Sequence, residues 1–236
     1  MNISFPDPKE FIYQLSKKCA ESYSQIKKDF PMWQEQDIRI TTYSKCANIT
    51  ENILFSWNFK SEQLGDANWY DRISYIHTPT PSQIKTTQFG YESFLMVSFV
   101  NWYLGSLEHF FRILLKQVNP SSRATKLFYI CQEILEHFGL EDYQKQFNIY
   151  RFLRNSMHNN GVIMDRYAEP IEYDGVTYDF QFGRQITNVN WFMLSRVASD
   201  LHDCLNKICK SNEISQIQFI EDPSFFDEST NSYMSF

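Results

Sequence analysis

Apolar residues recur along most of this chain at helical spacing, and only one stretch carries the strand formers and turn of a β-hairpin. From Gln88 to Val118, the residues Phe89, Phe94, Val97, Val100, Leu104, Leu107, Phe111 and Leu114 fall three to five apart, which predicts one long, largely buried helix. Asn119-Pro120-Ser121 closes it. A second helix is expected from Ser121 to Phe138, with Leu127, Ile130, Ile134, Leu135 and Phe138 inward and Gly139 capping its end. A third is expected from Glu141 to Asn159. Asn159-Asn160-Gly161 supplies its stop, because Asn and Gly tolerate the left-handed backbone that ends helices.

Upstream, Asp7-Pro8-Lys9-Glu10 combines an N-cap, a proline at the first helical position and an early carboxylate, so a helix should run to Asp29 and stop at Pro31. A further helical pattern covers Thr42 to Phe59, after which Gly65, Asp66, Pro79 and Pro81 break the chain into irregular structure. Downstream the period changes. Strand formers from Ile171 to Phe180 surround Asp174-Gly175, a common two-residue turn, and predict a small β-hairpin over residues 171–182. Asn188 or Asn190 then caps a last helix to Lys210, whose stripe is Trp191, Leu194, Val197, Leu201, Leu205 and Ile208. Beyond Ser211 the chain reads as a tail.

Composition agrees with a helical fold. The chain has 21 Phe, 14 Tyr and 5 Trp against 7 Gly and 8 Pro, a balance that favours long helices over turn-rich sheets. Its formal charge of -6 excludes a broad basic surface, so any contact with nucleic acid has to come from a local patch. Cys19, Cys46, Cys131, Cys204 and Cys209 form no C-x-x-C pair and read as reduced, buried thiols. Met1 to Glu10 lacks the regions of a signal peptide, and no apolar run is long enough to span a bilayer. A cytoplasmic protein without a membrane partner is expected. No phosphate-binding loop, nucleophile elbow or dinucleotide fingerprint is present.

The densest chemistry lies in Arg151, Arg154, Asn155 and His158. Offsets of three, four and seven place them on one helix face, so two fixed cations, an amide and an imidazole converge near a helix end. That set suits binding and cleaving a phosphodiester. An arginine fork matches phosphate oxygens and stays charged, while an imidazole titrates near neutrality, at about 6.5 in model peptides. The structural alternative pairs these arginines with carboxylates such as Glu108 and leaves His158 as a favourable cation at the helix terminus. Glu108 and Arg112, one turn apart on an apolar helix, either brace the cluster or pair with each other. His109 and His137 read as core or boundary residues. His202-x-Cys204 with Cys209 is a weak metal pattern, and Trp69-Tyr70, flanked by Asp66, Asp71 and Arg72, either stacks a base or, as aromatic residues in a loop more often do, covers the core.

A long helix with Glu108 and Arg112, a second helix, a third ending Arg-x-x-Arg-Asn-x-x-His-Asn-Asn-Gly, a hairpin and a final helix: this order resembles the HEPN superfamily over residues 88–210. The resemblance implies an all-α, four- to five-helix bundle with one small hairpin. Residues 1–87 would then form an N-terminal helical extension and residues 211–236 a C-terminal tail. It also implies a homodimer whose Arg-x4-6-His motifs line a shared cleft and cut RNA without metal or cofactor, in toxin or defence systems. Arg151 with six intervening residues fits that spacing, whereas Arg154 with three is one short but is followed by the polar Asn155. The implied partners are RNA or a nucleotide, a second copy of the chain, and an antitoxin or nucleotidyltransferase. A non-catalytic module that binds a nucleotide or a protein is the alternative the same resemblance allows.

Overall fold

The computed structural model describes residues 7–73, 79–227 and 232–233. Among them the chain is mostly helical: α1 (Pro8–Asp29), α2 (Ile38–Glu62), α3 (Ala67–Ile73), α4 (Pro81–Val118), α5 (Leu127–Phe138), α6 (Gln144–Met157), α7 (Trp191–Cys209) and the single turn α8 (Asn212–Ser215). Strands β1 (Ile171–Tyr173) and β2 (Val176–Tyr178) form an antiparallel hairpin in which Ile171 pairs with Tyr178. Asp174 and Gly175 at its turn both have positive φ, the left-handed pair that a two-residue hairpin needs. A second short pair, β3 (Phe226–Asp227) and β4 (Ser232–Tyr233), lies near the C-terminus.

Helix ends follow local chemistry. Asp7 caps α1 by accepting from the Lys9 amide at 3.0 Å, and Asn190, rather than Asn188, caps α7 by accepting from the Met193 amide at 2.9 Å. Gly139 ends α5 in the left-handed conformation. The long helix starts earlier than its hydrophobic pattern predicts. Thr80 and Gln83 form a capping box and Pro81 takes the first helical position, so a proline expected to break the chain opens α4 instead. The boundary expected at residue 87 therefore falls inside a continuous helix. α2 likewise extends from Ile38 rather than Thr42, because Asp37 caps it, and α5 begins at Leu127 rather than Ser121.

One core joins α1, α2, α4, α5, α6 and α7. All six residues of the α7 stripe are buried, and each contributes roughly 1.5 to 3 kcal/mol by leaving water. On α4 the buried face is Leu95, Phe99, Tyr103, Leu107, Phe110 and Leu114, whereas Phe89, Phe94 and Val97, expected inward, face solvent. Trp69-Tyr70 belongs to α3 rather than a loop, with Tyr70 buried and its hydroxyl donating to the Leu64 carbonyl. The segment expected as a tail is pinned down through residue 225. Ile214, Ile220 and Asp222 are buried, and the chain is tied to the start of α2 by Ile38 N–H to Ile220 O at 2.8 Å and Asp222 N–H to Gln36 O at 2.9 Å. No helix among the described residues is long and apolar enough to cross a membrane.

Candidate functional site

α6 turns Phe147, Tyr150, Phe152, Leu153 and Ser156 into the core, and this fixes the opposite face outward. Arg151, Arg154, Asn155 and His158 occupy that outer face, as their spacing predicts. Tyr150 anchors the helix from below, its hydroxyl donating to the Leu194 carbonyl of α7 at 2.7 Å. The helix stops where expected. His158 is its C-cap residue, Asn160 and Gly161 both take positive φ, and the Ser156 carbonyl accepts from both the Asn159 and Gly161 amides. Gly161 to Ile163 then pairs with residues 183–186, which braces the loop behind the helix end.

The two arginines have different surroundings. Arg151 is the enclosed one, its side chain 16% exposed. It forms an ion pair with Asp165, lies 4.3 Å from the centroid of the Phe152 ring and 5.2 Å from that of Phe128. A guanidinium stacked and paired in this way holds the 165 loop onto α5 and α6. Arg154 is 36% exposed and pairs with the second oxygen of Glu108 through Nη1 alone. Its other N–H donors have no partner among the described residues. Asn155 and His158 are exposed, and their side chains make no hydrogen bond among the described residues.

Glu108 is the hinge of the arrangement. Its first oxygen accepts from Arg112 Nε at 3.0 Å and Nη2 at 2.5 Å, and its second meets Arg154. Partial burial pushes its carboxyl pKa up, but the hydrogen bonds and charges of the two arginines outweigh this and hold it below the ordinary carboxylate value. Arg112 also donates to the Thr125 carbonyl at 2.9 Å, which brings the exposed Arg123 and Lys126 alongside. Exposed aromatic side chains border the same ground. Tyr167, 90% exposed, donates its amide to Asp165 at 2.9 Å, and the half-exposed Tyr129 lies edge-on to Phe128.

The remaining polar residues sort cleanly. His202 is a core histidine, held edge-on against Tyr43, with Nδ1 3.4 Å from the Tyr103 hydroxyl. Burial lowers its pKa to about 4. Cys204 and Cys209 are buried thiols like the other three cysteines, and no group of His, Cys, Asp or Glu residues among the described residues is arranged to hold a metal ion. His137 pairs with Glu213 at 2.8 Å.

Two networks were not visible in the sequence. Asp37 and Arg39, both fully buried, form a bidentate pair at 2.8 and 2.5 Å, with the guanidinium 3.7 Å from the Trp33 ring centroid. Asp222, also fully buried, accepts from Thr41, Lys45, His109, Ser224 Oγ and the Ser224 amide. Burial raises its pKa, yet these donors drive it well below the usual carboxylate range. Ser224 Oγ and Asp222 both meet the same His109 nitrogen, so the trio lacks the relay order of a nucleophilic triad. The partners Thr41, Lys45 and His109 lie more than 100 residues from Asp222 and leave no local signal, and the nearness of Asp37 to Arg39 in the chain does not reveal that both are buried. No protein-family model, curated protein or solved structure matches the chain.

Proposed function

We propose that this is a HEPN-like RNA-binding protein that cleaves single-stranded RNA without metal, using the exposed end of α6. The observation that carries the reading is Arg154: a guanidinium steadied by Glu108 through one nitrogen, with its other donors open, on the same exposed face as Asn155 and His158. Arg154 would hold the scissile phosphate and stabilise the charge that builds on its equatorial oxygens. His158 would take the proton from the 2'-hydroxyl as that oxygen attacks phosphorus. The 5'-oxygen leaves with a proton supplied by the second imidazole, that of His158 in a second copy of the chain, and the product is a cyclic phosphate with a 5'-hydroxyl. Asn155 would orient the phosphate. Arg151, enclosed and paired with Asp165, keeps the loop in place rather than touching RNA, although its spacing to His158 fits the family motif better.

A binding module without catalysis is the second reading, and the acidic partner on each arginine favours it. The two separate in one experiment. Labelled RNA is incubated in EDTA with the protein, with Arg154→Ala and with His158→Ala, all matched by thermal melt. A positioned acid or base contributes on the order of 10² to 10⁴ in rate, so His158→Ala should lose cleavage by that factor while still binding RNA. Equal cleavage by all three proteins refutes the catalytic reading. Binding without cleavage by any of them leaves the module.

A further inference from the structure

A groove of about 550 Å³ opens between α2 and α4, and no α6 residue lines it. Its wall is the indole of Trp102, 70% exposed and unstacked against any ring among the described residues. Three side-chain amides line it, Asn48 and Asn52 one turn apart on α2 and Asn101 on α4, none with a hydrogen-bond partner among the described residues. Its end is closed by Lys45 and His109, both fixed by the buried Asp222. Exposed flat aromatic surface next to unspent donors and acceptors is the equipment for a planar ligand with a polar edge. An amide offers a donor and an acceptor side by side, as the edge of a nucleobase does.

One rim of the groove shares a helix face with residues of the site already described. Asn101, Gly105, Glu108 and Arg112 follow at offsets of four, seven and eleven, so they share one face of α4. At 1.5 Å per residue, Asn101 and Arg112 are about 16 Å apart along the helix. We propose that the groove is a base-reading subsite: an unpaired nucleobase of single-stranded RNA, a few nucleotides from the phosphate held by Arg154, stacks on Trp102 while Asn48, Asn52 and Asn101 read its edge. Lys45 lies where it can meet that nucleotide's phosphate. This rests on the RNA reading above but not on cleavage.

The test uses a short 2'-O-methyl RNA oligonucleotide, which cannot undergo 2'-hydroxyl attack, and follows tryptophan fluorescence. Trp33, Trp57 and Trp191 are buried, and with the partly buried Trp69 replaced by Phe in every protein tested, quenching by a stacked base reports Trp102. Wild type and His158→Ala should be quenched alike. Trp102→Ala should lose the quenching and weaken binding about 5- to 150-fold, the usual range for one base on one aromatic ring. Asn52→Ala and Asn101→Ala should keep the quenching but flatten the preference among homopolymer oligonucleotides. Quenching that persists in Trp102→Ala overturns the proposal, as does displacement of the oligonucleotide by a neutral oligosaccharide. A Trp102→Ala protein that changes its sedimenting mass instead of its RNA affinity also overturns it, and marks the face as a contact between copies. Trp102-dependent quenching without cleavage of ordinary RNA leaves the subsite standing and removes only the catalytic reading; cleavage without it does the reverse.

Discussion

Replacing Glu108 with glutamine changes the charge at the candidate site while keeping the size of the side chain that steadies it. In the native protein one carboxylate lies between two guanidinium groups, Arg112 and Arg154, so the trio carries one net positive charge. Glu108→Gln raises this to two. Each additional cation that meets a phosphate steepens the dependence of log affinity on log salt by about 0.7 for a single strand, so the variant should bind single-stranded RNA more tightly at low salt, with that added slope. The same change removes charge from hydrogen bonds made by a side chain only 14% exposed. A loss of roughly 1 to 2 kcal/mol follows, or about 2 to 8 °C in melting temperature for a chain of this size. The loss has a pH signature. Because the carboxyl is held below its ordinary value, its contribution is fully present above the unfolded value of about 4.3 and disappears as pH falls through the native one. Fluorescence anisotropy across a potassium chloride series, beside thermal melts at pH 7 and pH 4, measures all three effects. An unchanged salt slope together with an unchanged melt would refute the reasoning, since Glu108 would then neither neutralise nor position Arg154.

Further outcomes follow from the core. Asp37→Ala leaves the Arg39 guanidinium buried without its partner and should cost about 3 to 5 kcal/mol in urea titrations, whereas adding Arg39→Met should recover part of that loss. His202 is neutral when folded, so stability should fall as pH drops from about 6.5 towards 4, by about 3 kcal/mol in all, and His202→Phe should abolish that dependence in urea titrations from pH 7 to 4.5. Gly139→Ala meets no neighbouring atom but forces a left-handed residue, so it should lower stability by about 1 kcal/mol through the backbone alone, as a thermal melt would show.

Local signals in the sequence are legible where one kind of force acts. The α7 stripe is buried on one side and its periodicity shows it. The Asn-Asn-Gly stop after α6 and the Asp-Gly turn work through backbone preference, which needs no distant partner. α2 is less legible, because buried residues such as Arg39, Thr41, Thr42 and Cys46 surround its first turns and blur any apolar stripe. α4 misled in a different way: Phe89, Phe94 and Val97 have helical spacing but sit on its outer face, and spacing alone does not say which face is covered. At the site, spacing placed four residues on one face of α6. It does not say that Arg151 is enclosed by Asp165 and Phe152 while Arg154 is the more open of the two, because Glu108 and Asp165 come from other parts of the chain.

The chemistry proposed for the end of α6 is tested most directly by the ends of the RNA it produces. Mass spectrometry of a cleaved oligonucleotide should find a 2',3'-cyclic phosphate on one fragment and a 5'-hydroxyl on the other, with no cleavage where the attacking nucleotide carries 2'-deoxyribose. Fragments bearing 5'-phosphates, or equal cutting at the deoxy position, would contradict an attack by the 2'-hydroxyl and with it the roles given to Arg154 and His158.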